Sequence, residues 1–127
     1  MMDLDNKVSL VTGAGQGIGE GIAKNLASKG SKVIVVDLNQ QSSENVAEEI
    51  NKKFPNTAYS FQADLTKIDE IESMLEFGVL KFNKIDCICN NAASSKGIGP
   101  VESYSLEDVQ ATLDLTFTSL WKCLQAE

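Results

Sequence analysis

Lys7–Thr12 carries Val8, Leu10 and Val11 in a strand-like apolar run that breaks at Gly13 into four glycines within seven residues, Gly13, Gly15, Gly17 and Gly19. The apolar spacing then lengthens. Ile18, Ile22 and Leu26 recur every four residues with Ala23 and Ala27 beside them, the period of a helix, and Gly30 supplies its stop. Lys32–Val36 is a second strand-like run and ends in Asp37. A second helix places Val46, Ile50 and Phe54 on one face and is ended by Pro55, and Ala58–Gln62 alternates as a short third strand. Thr66, with Asp69 three residues on, predicts the N-cap of a helix whose face carries Ile68, Ile71, Leu75, Val79 and Phe82. Ile85–Asn90 reads as a fourth strand buried on both faces, and Ser105 with Asp108 caps a last helix that runs to the C-terminus.

Strands and helices that alternate at these lengths call for right-handed crossovers and a parallel sheet covered on both sides. The fold class expected is α/β: a Rossmann-like doubly wound parallel sheet in three α/β/α layers, one domain over residues 1–127. In the strand order 3-2-1-4 the first and fourth strands are neighbours, and a crevice opens beyond their carboxyl ends. The glycine turn and Asn90-Asn91-Ala92-Ala93 would meet at that mouth.

Glycines between a strand and a helix let backbone N–H groups approach a phosphate, because no Cβ stands in the way and a helix start carries unpaired donors and partial positive charge. Asp37 lies 18 residues beyond Gly19, where a carboxylate can accept hydrogen bonds from both hydroxyls of an adenosine ribose. The same charge repels a 2′-phosphate, and the sequence holds no Arg to reverse that. The expected ligand is a dinucleotide, NAD in preference to NADP.

Charge narrows the remaining chemistry. Eighteen acidic residues against 11 basic ones, all lysine, give a net charge of −7, which argues against nucleic acid and anionic membranes as partners. With no His there is no Ser-His or Cys-His pair and no His-based zinc site. Cys87 and Cys89 lie two apart in a strand, a spacing better suited to buried packing than to metal or redox use, and no metal site is expected. No apolar run reaches the length of a membrane span, and Met1–Asp5 lacks a basic-then-apolar leader pattern, so the expected location is cytoplasmic. The last helix spreads Leu106, Val109, Leu113, Phe117, Leu120, Trp121 and Leu124 over too much of its circumference to bury on one side. An apolar fourth strand at a sheet edge likewise invites pairing with another chain.

Thr12-Gly13-Ala14-Gly15-Gln16-Gly17-Ile18-Gly19 resembles the T-G-x-x-x-G-I-G motif of the short-chain dehydrogenases/reductases, and Asn90-Asn91-Ala92-Ala93 resembles that family's N-N-A-G, with Ala93 in place of its glycine. The resemblance implies an enzyme that interconverts alcohols and carbonyls with a nicotinamide cofactor. It implies that Gly13, Gln16 and Ile18, with Gly17 and Gly19 of the same turn, line the pyrophosphate and that Asp37 holds the ribose. Asp64 and Leu65 would flank adenine, and Asn91 would touch the cofactor beside strand four. Of the family's catalytic Asn, Ser, Tyr and Lys, the Asn position is held by Thr116, whose hydroxyl lacks an amide's two donors. The Ser and the Tyr-x-x-x-Lys pair would come later than Glu127, so the chain reads as the cofactor-binding half of the domain, inactive alone. The resemblance also implies a homo-oligomer, its last helix against a partner subunit, and a small alcohol or carbonyl substrate for the full-length enzyme. A non-catalytic NAD-binding or redox-sensing module is the alternative.

Overall fold

The computed structural model describes residues 3–94 and 99–127; Met1 and Met2, part of the start expected to lack a leader, lie outside the described residues. Four strands form one parallel sheet: β1 (Val8–Thr12), β2 (Lys32–Asp37), β3 (Ala58–Gln62) and β4 (Cys87–Cys89), in the order β3-β2-β1-β4. This is the expected doubly wound order. Alternate residues of β1 and β2 face opposite sides, and both sides are apolar. Val11, Val33 and Val35 pack with Ala23, Ala27 and Ile50 from α1 (Gly17–Ser28) and α2 (Gln40–Lys53). On the other face Leu10, Ile34 and Val36 pack with Ile71 and Met74 of α3 (Ile68–Phe82) and with Cys123. Two covered faces explain why β1 and β2 read as continuous apolar runs rather than alternations. No helix among the described residues is long and apolar enough to cross a membrane.

The stops obey local chemistry. Gly30, at φ +96°, closes α1 as expected: its N–H donates to Ala27 O and that of Ser31 to Leu26 O, the paired bonds of a Schellman end. Asn39 caps α2 by accepting the Ser42 N–H at 3.0 Å. The expected Thr66 cap is not what forms. The N-cap of α3 is Lys67, without a side-chain bond, and the Thr66 hydroxyl donates to Asp64 Oδ1 at 2.7 Å. An ionised acceptor two residues away outcompetes the helix end for that hydroxyl. At the outer side of β3 the Asn51 side chain accepts the Thr57 and Ala58 N–H groups and donates to the Ala58 carbonyl.

Two expectations about the C-terminal part are corrected. Strand four is three residues, not Ile85–Asn90, and it is not buried on both faces: Cys87 is exposed, and Ile88 and Cys89 are half-buried. Among the described residues it pairs with β1 alone, and Asp86 Oδ2 accepts the Val8 N–H at 2.8 Å, so a side chain does part of the ladder's work. The last helix has the expected Ser105–Asp108 capping box but is not one α-helix. It runs as α4 (Leu106–Leu113), a π turn (Asp114–Thr118) and α5 (Ser119–Ala126). The apolar residues of this segment, Leu106, Val109, Leu113, Phe117, Leu120, Trp121 and Leu124, are all exposed. Ser119 and Cys123 are buried, while Phe117 and Trp121 remain 71% and 59% exposed.

Candidate nucleotide site

Thr12 ends β1 and fastens it to the chain leaving β4. Its Oγ1 accepts the N–H groups of Asn91 at 3.0 Å and Ala92 at 3.1 Å, while Asn91 Nδ2 returns a bond to the Thr12 carbonyl at 3.1 Å. The glycine turn and Asn91 are thus brought together at the mouth between β1 and β4. The Ala93 backbone stays outside the left-handed region, which among the described non-glycine residues only Asn6, Asn56 and Asn83 occupy.

Within the turn the glycines serve different needs. Gly13 (φ +62°) needs both its conformation and its bare Cα, since a Cβ there would lie 2.8 Å from Ala92 Cα. Gly19 is buried, and its Cβ would fall within 2.6 Å of Asn91 Nδ2 and closer still to the Gly13 carbonyl. Gly17 (φ +59°) has nothing within 4 Å of where a Cβ would stand, so it is a conformational requirement only. Gln16, the N-cap of α1, makes no side-chain cap bond, and Ile18 is 78% exposed. Gly17 and Ile18 at the start of α1 are therefore exposed, where helix N–H groups have no helical partner.

Asp37 completes this face. Its Oδ2 accepts the Gly15 N–H and its Oδ1 the Asn39 N–H, both at 2.9 Å, so the carboxylate lies against the glycine turn. Gly15 and Thr12 are the residues that reading the sequence for site roles passed over. The signal for Gly15 was its place in the glycine run; for Thr12 it was a hydroxyl at the end of an apolar strand.

The remaining predicted residues are less uniformly placed. Asp64 is bound within its own turn, accepting the Thr66 N–H at 3.0 Å and the Thr66 hydroxyl, while its own N–H donates to Glu70 Oε2 at 2.6 Å. The Thr66 hydroxyl, its backbone N–H and Lys67 hold the Asp64 carboxyl below the ordinary carboxylate value. Leu65 is buried and joins Thr12, Asn91, Thr116 and Cys123 around a cavity of about 190 Å³. Asn90 Oδ1, beside that cavity, is buried without a partner among the described residues. Thr116 lies in the π turn, and its hydroxyl accepts the Ser94 N–H at 3.3 Å. Burial, with a smaller push from Glu127, raises the Cys123 thiol to about 11.

Comparison with known proteins agrees over nearly the whole chain. A family model described as short chain dehydrogenase matches residues 7–127. The 7alpha-hydroxysteroid dehydrogenase of Escherichia coli K12 is 36% identical over 97 residues, 76% of this chain and 36% of that protein. The D-threitol dehydrogenase of Mycolicibacterium smegmatis is 32% identical over 123 residues, 97% of this chain and 46% of that protein. Among solved structures, a 3-ketoacyl-(acyl-carrier-protein) reductase from Brucella melitensis complexed with NADH superposes with a TM-score of 0.89 at 32% identity, covering 97% of this chain and 49% of that one. The chain spans about half or less of the length of these relatives.

Proposed function

Since the chain belongs to the short-chain dehydrogenase family, we propose that it forms the dinucleotide-binding part of an oxidoreductase that passes hydride between NAD and a small alcohol or carbonyl compound. The observation that carries the reading is the Asp37 carboxylate bound to the Gly15 amide. A ribose acceptor and a phosphate-binding turn are useful together only when they adjoin, and here one hydrogen bond joins them. The relative crystallised with NADH supports the same ligand class.

The residues fit such a ligand. Gly13 and Gly19 keep the turn free of the Cβ atoms that would fill it, and the outward-facing start of α1 offers amide donors and a partial positive charge to a diphosphate. Asp37 accepts the ribose hydroxyls and turns away a 2′-phosphate by like charge. Gln16, Gly17 and Ile18 border the diphosphate from the helix start, Asn91 closes the β4 side, and Asp64 and Leu65 border the adenine end. NAD, when bound, supplies the hydride acceptor.

Among the described residues, no tyrosine lines the cavity at the mouth where a proton would be transferred. Tyr104 donates its hydroxyl to the Gly99 carbonyl, Tyr59 lies against Phe77 and Phe82 of α3, and the Thr116 hydroxyl accepts the Ser94 N–H. The chain alone is therefore expected to bind the dinucleotide and turn over no alcohol or ketone, having lost a step that contributes about 10²- to 10⁴-fold. Steady-state assays with the purified chain check this, and sustained turnover refutes it. The exposed Phe117 and Trp121 support self-association through the last helix, with the edge strand β4 as a second route. Light scattering checks that, and a monomer at all concentrations argues against it.

Isothermal titration with NADH is the direct test. Saturable heat is expected at sub-millimolar to millimolar ligand, with Asp37→Ala weakening NADH by about tenfold and NADPH far less. No heat at millimolar NADH from folded chain removes the reading.

A further inference from the structure

We propose that Gly15 is a positioning residue whose missing side chain sets the preference of this site for a free ribose over a 2′-phosphorylated one, an inference that rests on the dinucleotide reading above. Asp37 is the last residue of β2, where a carboxylate on a strand end ordinarily samples several rotamers. Two backbone donors remove that freedom, Gly15 N–H on Oδ2 and Asn39 N–H on Oδ1. Each oxygen retains a lone pair for a ribose hydroxyl. The acid is thus oriented before a ligand arrives, which spares the ligand the cost of ordering it.

This clamp depends on space at position 15. Gly15 is not in the left-handed region, so glycine is not there for its conformation. A Cβ on Gly15 would lie 2.8 Å from Ser42 Cβ and 2.9 Å from both Cγ and Oδ2 of Asp37. The first turn of α2 and the Asp37 carboxylate therefore close onto the glycine turn only because nothing projects from Gly15. A methyl group there displaces Asp37, Ser42 or both, and the carboxylate loses its fixed orientation. Free to swing away, it also ceases to oppose a 2′-phosphate, which carries about −1.5 to −2 charge.

The test titrates the wild-type chain, Gly15→Ala, and Gly15→Ala combined with Ser42→Gly, using NADH and NADPH as probes and nicotinamide fluorescence as readout. Gly15→Ala is expected to weaken NADH about tenfold and NADPH less than about twofold, so that the preference collapses, and Ser42→Gly to restore part of it by making room. A foldable Gly15→Ala chain with the wild-type preference overturns the proposal and leaves the dinucleotide reading standing. Wild-type chain that binds neither probe overturns both. If Gly15→Ala does not fold, the wild-type amide spectrum carries the test: the Gly15 and Asn39 amide resonances are expected to move together in Asp37→Ala. An unmoved Gly15 resonance defeats the clamp.

Discussion

The Thr12 hydroxyl holds two amide protons from a segment 79 and 80 residues away, those of Asn91 and Ala92. Thr12→Val keeps the shape and removes the acceptor, leaving both half-buried donors unpaired. It is expected to lower stability by about 1–3 kcal/mol in urea unfolding and to loosen the mouth between β1 and β4. Wild-type stability would show that water replaces the hydroxyl at no cost. That Asp37 and the glycine turn lie together was legible from chain spacing. The parts of Thr12 and Gly15 were not, because the first acts through Asn91 and Ala92 on the chain leaving β4 and the second through Asp37 and Ser42. Asp64 shows the converse. Its place near the end of β3 was readable, but its carboxylate faces Thr66, a local contact that the motif does not encode.

At the level of elements, Ser105 and Asp108 satisfy each other's backbone donors at the start of α4. Ser105→Ala should cost about 1 kcal/mol and speed amide exchange in α4 while leaving β1 and β2 protected. Uniform exchange across the sheet would contradict that localisation. The capping box was legible because it needs only two side chains three residues apart. The π turn was not, since packing decides where one residue is inserted. The contraction of strand four to Cys87–Cys89 has a similar origin. Its apolar residues resemble those of β1 and β2, but burial on two faces depends on neighbours, and among the described residues β4 pairs with β1 alone. Helix ends were read more faithfully where the backbone conformation itself demands a residue, as at the stop at Gly30, than where a side chain had a choice of partners, as at the start near Thr66.

For the molecule as a whole, depressed carboxylates, Asp86 and Asp64 among them, link stability to acidity. Asp86 is held below its ordinary value of 3.8 chiefly by Lys84 and then by the Val8 N–H, and Asp64 below the same value chiefly by the Thr66 hydroxyl. A group whose folded value is depressed binds its proton less readily than the unfolded chain does. Its stabilisation is complete above the unfolded value and disappears as pH falls through the folded one. The melting temperature should therefore be nearly level toward neutrality and fall below about pH 4, with a smaller fall in Asp86→Asn. Circular dichroism melts at a series of pH values check this, and an unchanged acid limb in that variant would remove Asp86 from the account.

Asn51 guards one rim of the sheet. It occupies the Thr57 and Ala58 N–H groups and the Ala58 carbonyl where β3 begins, so a newcomer strand there must displace three hydrogen bonds. Lengthening of the β-structure past β3 is thereby obstructed.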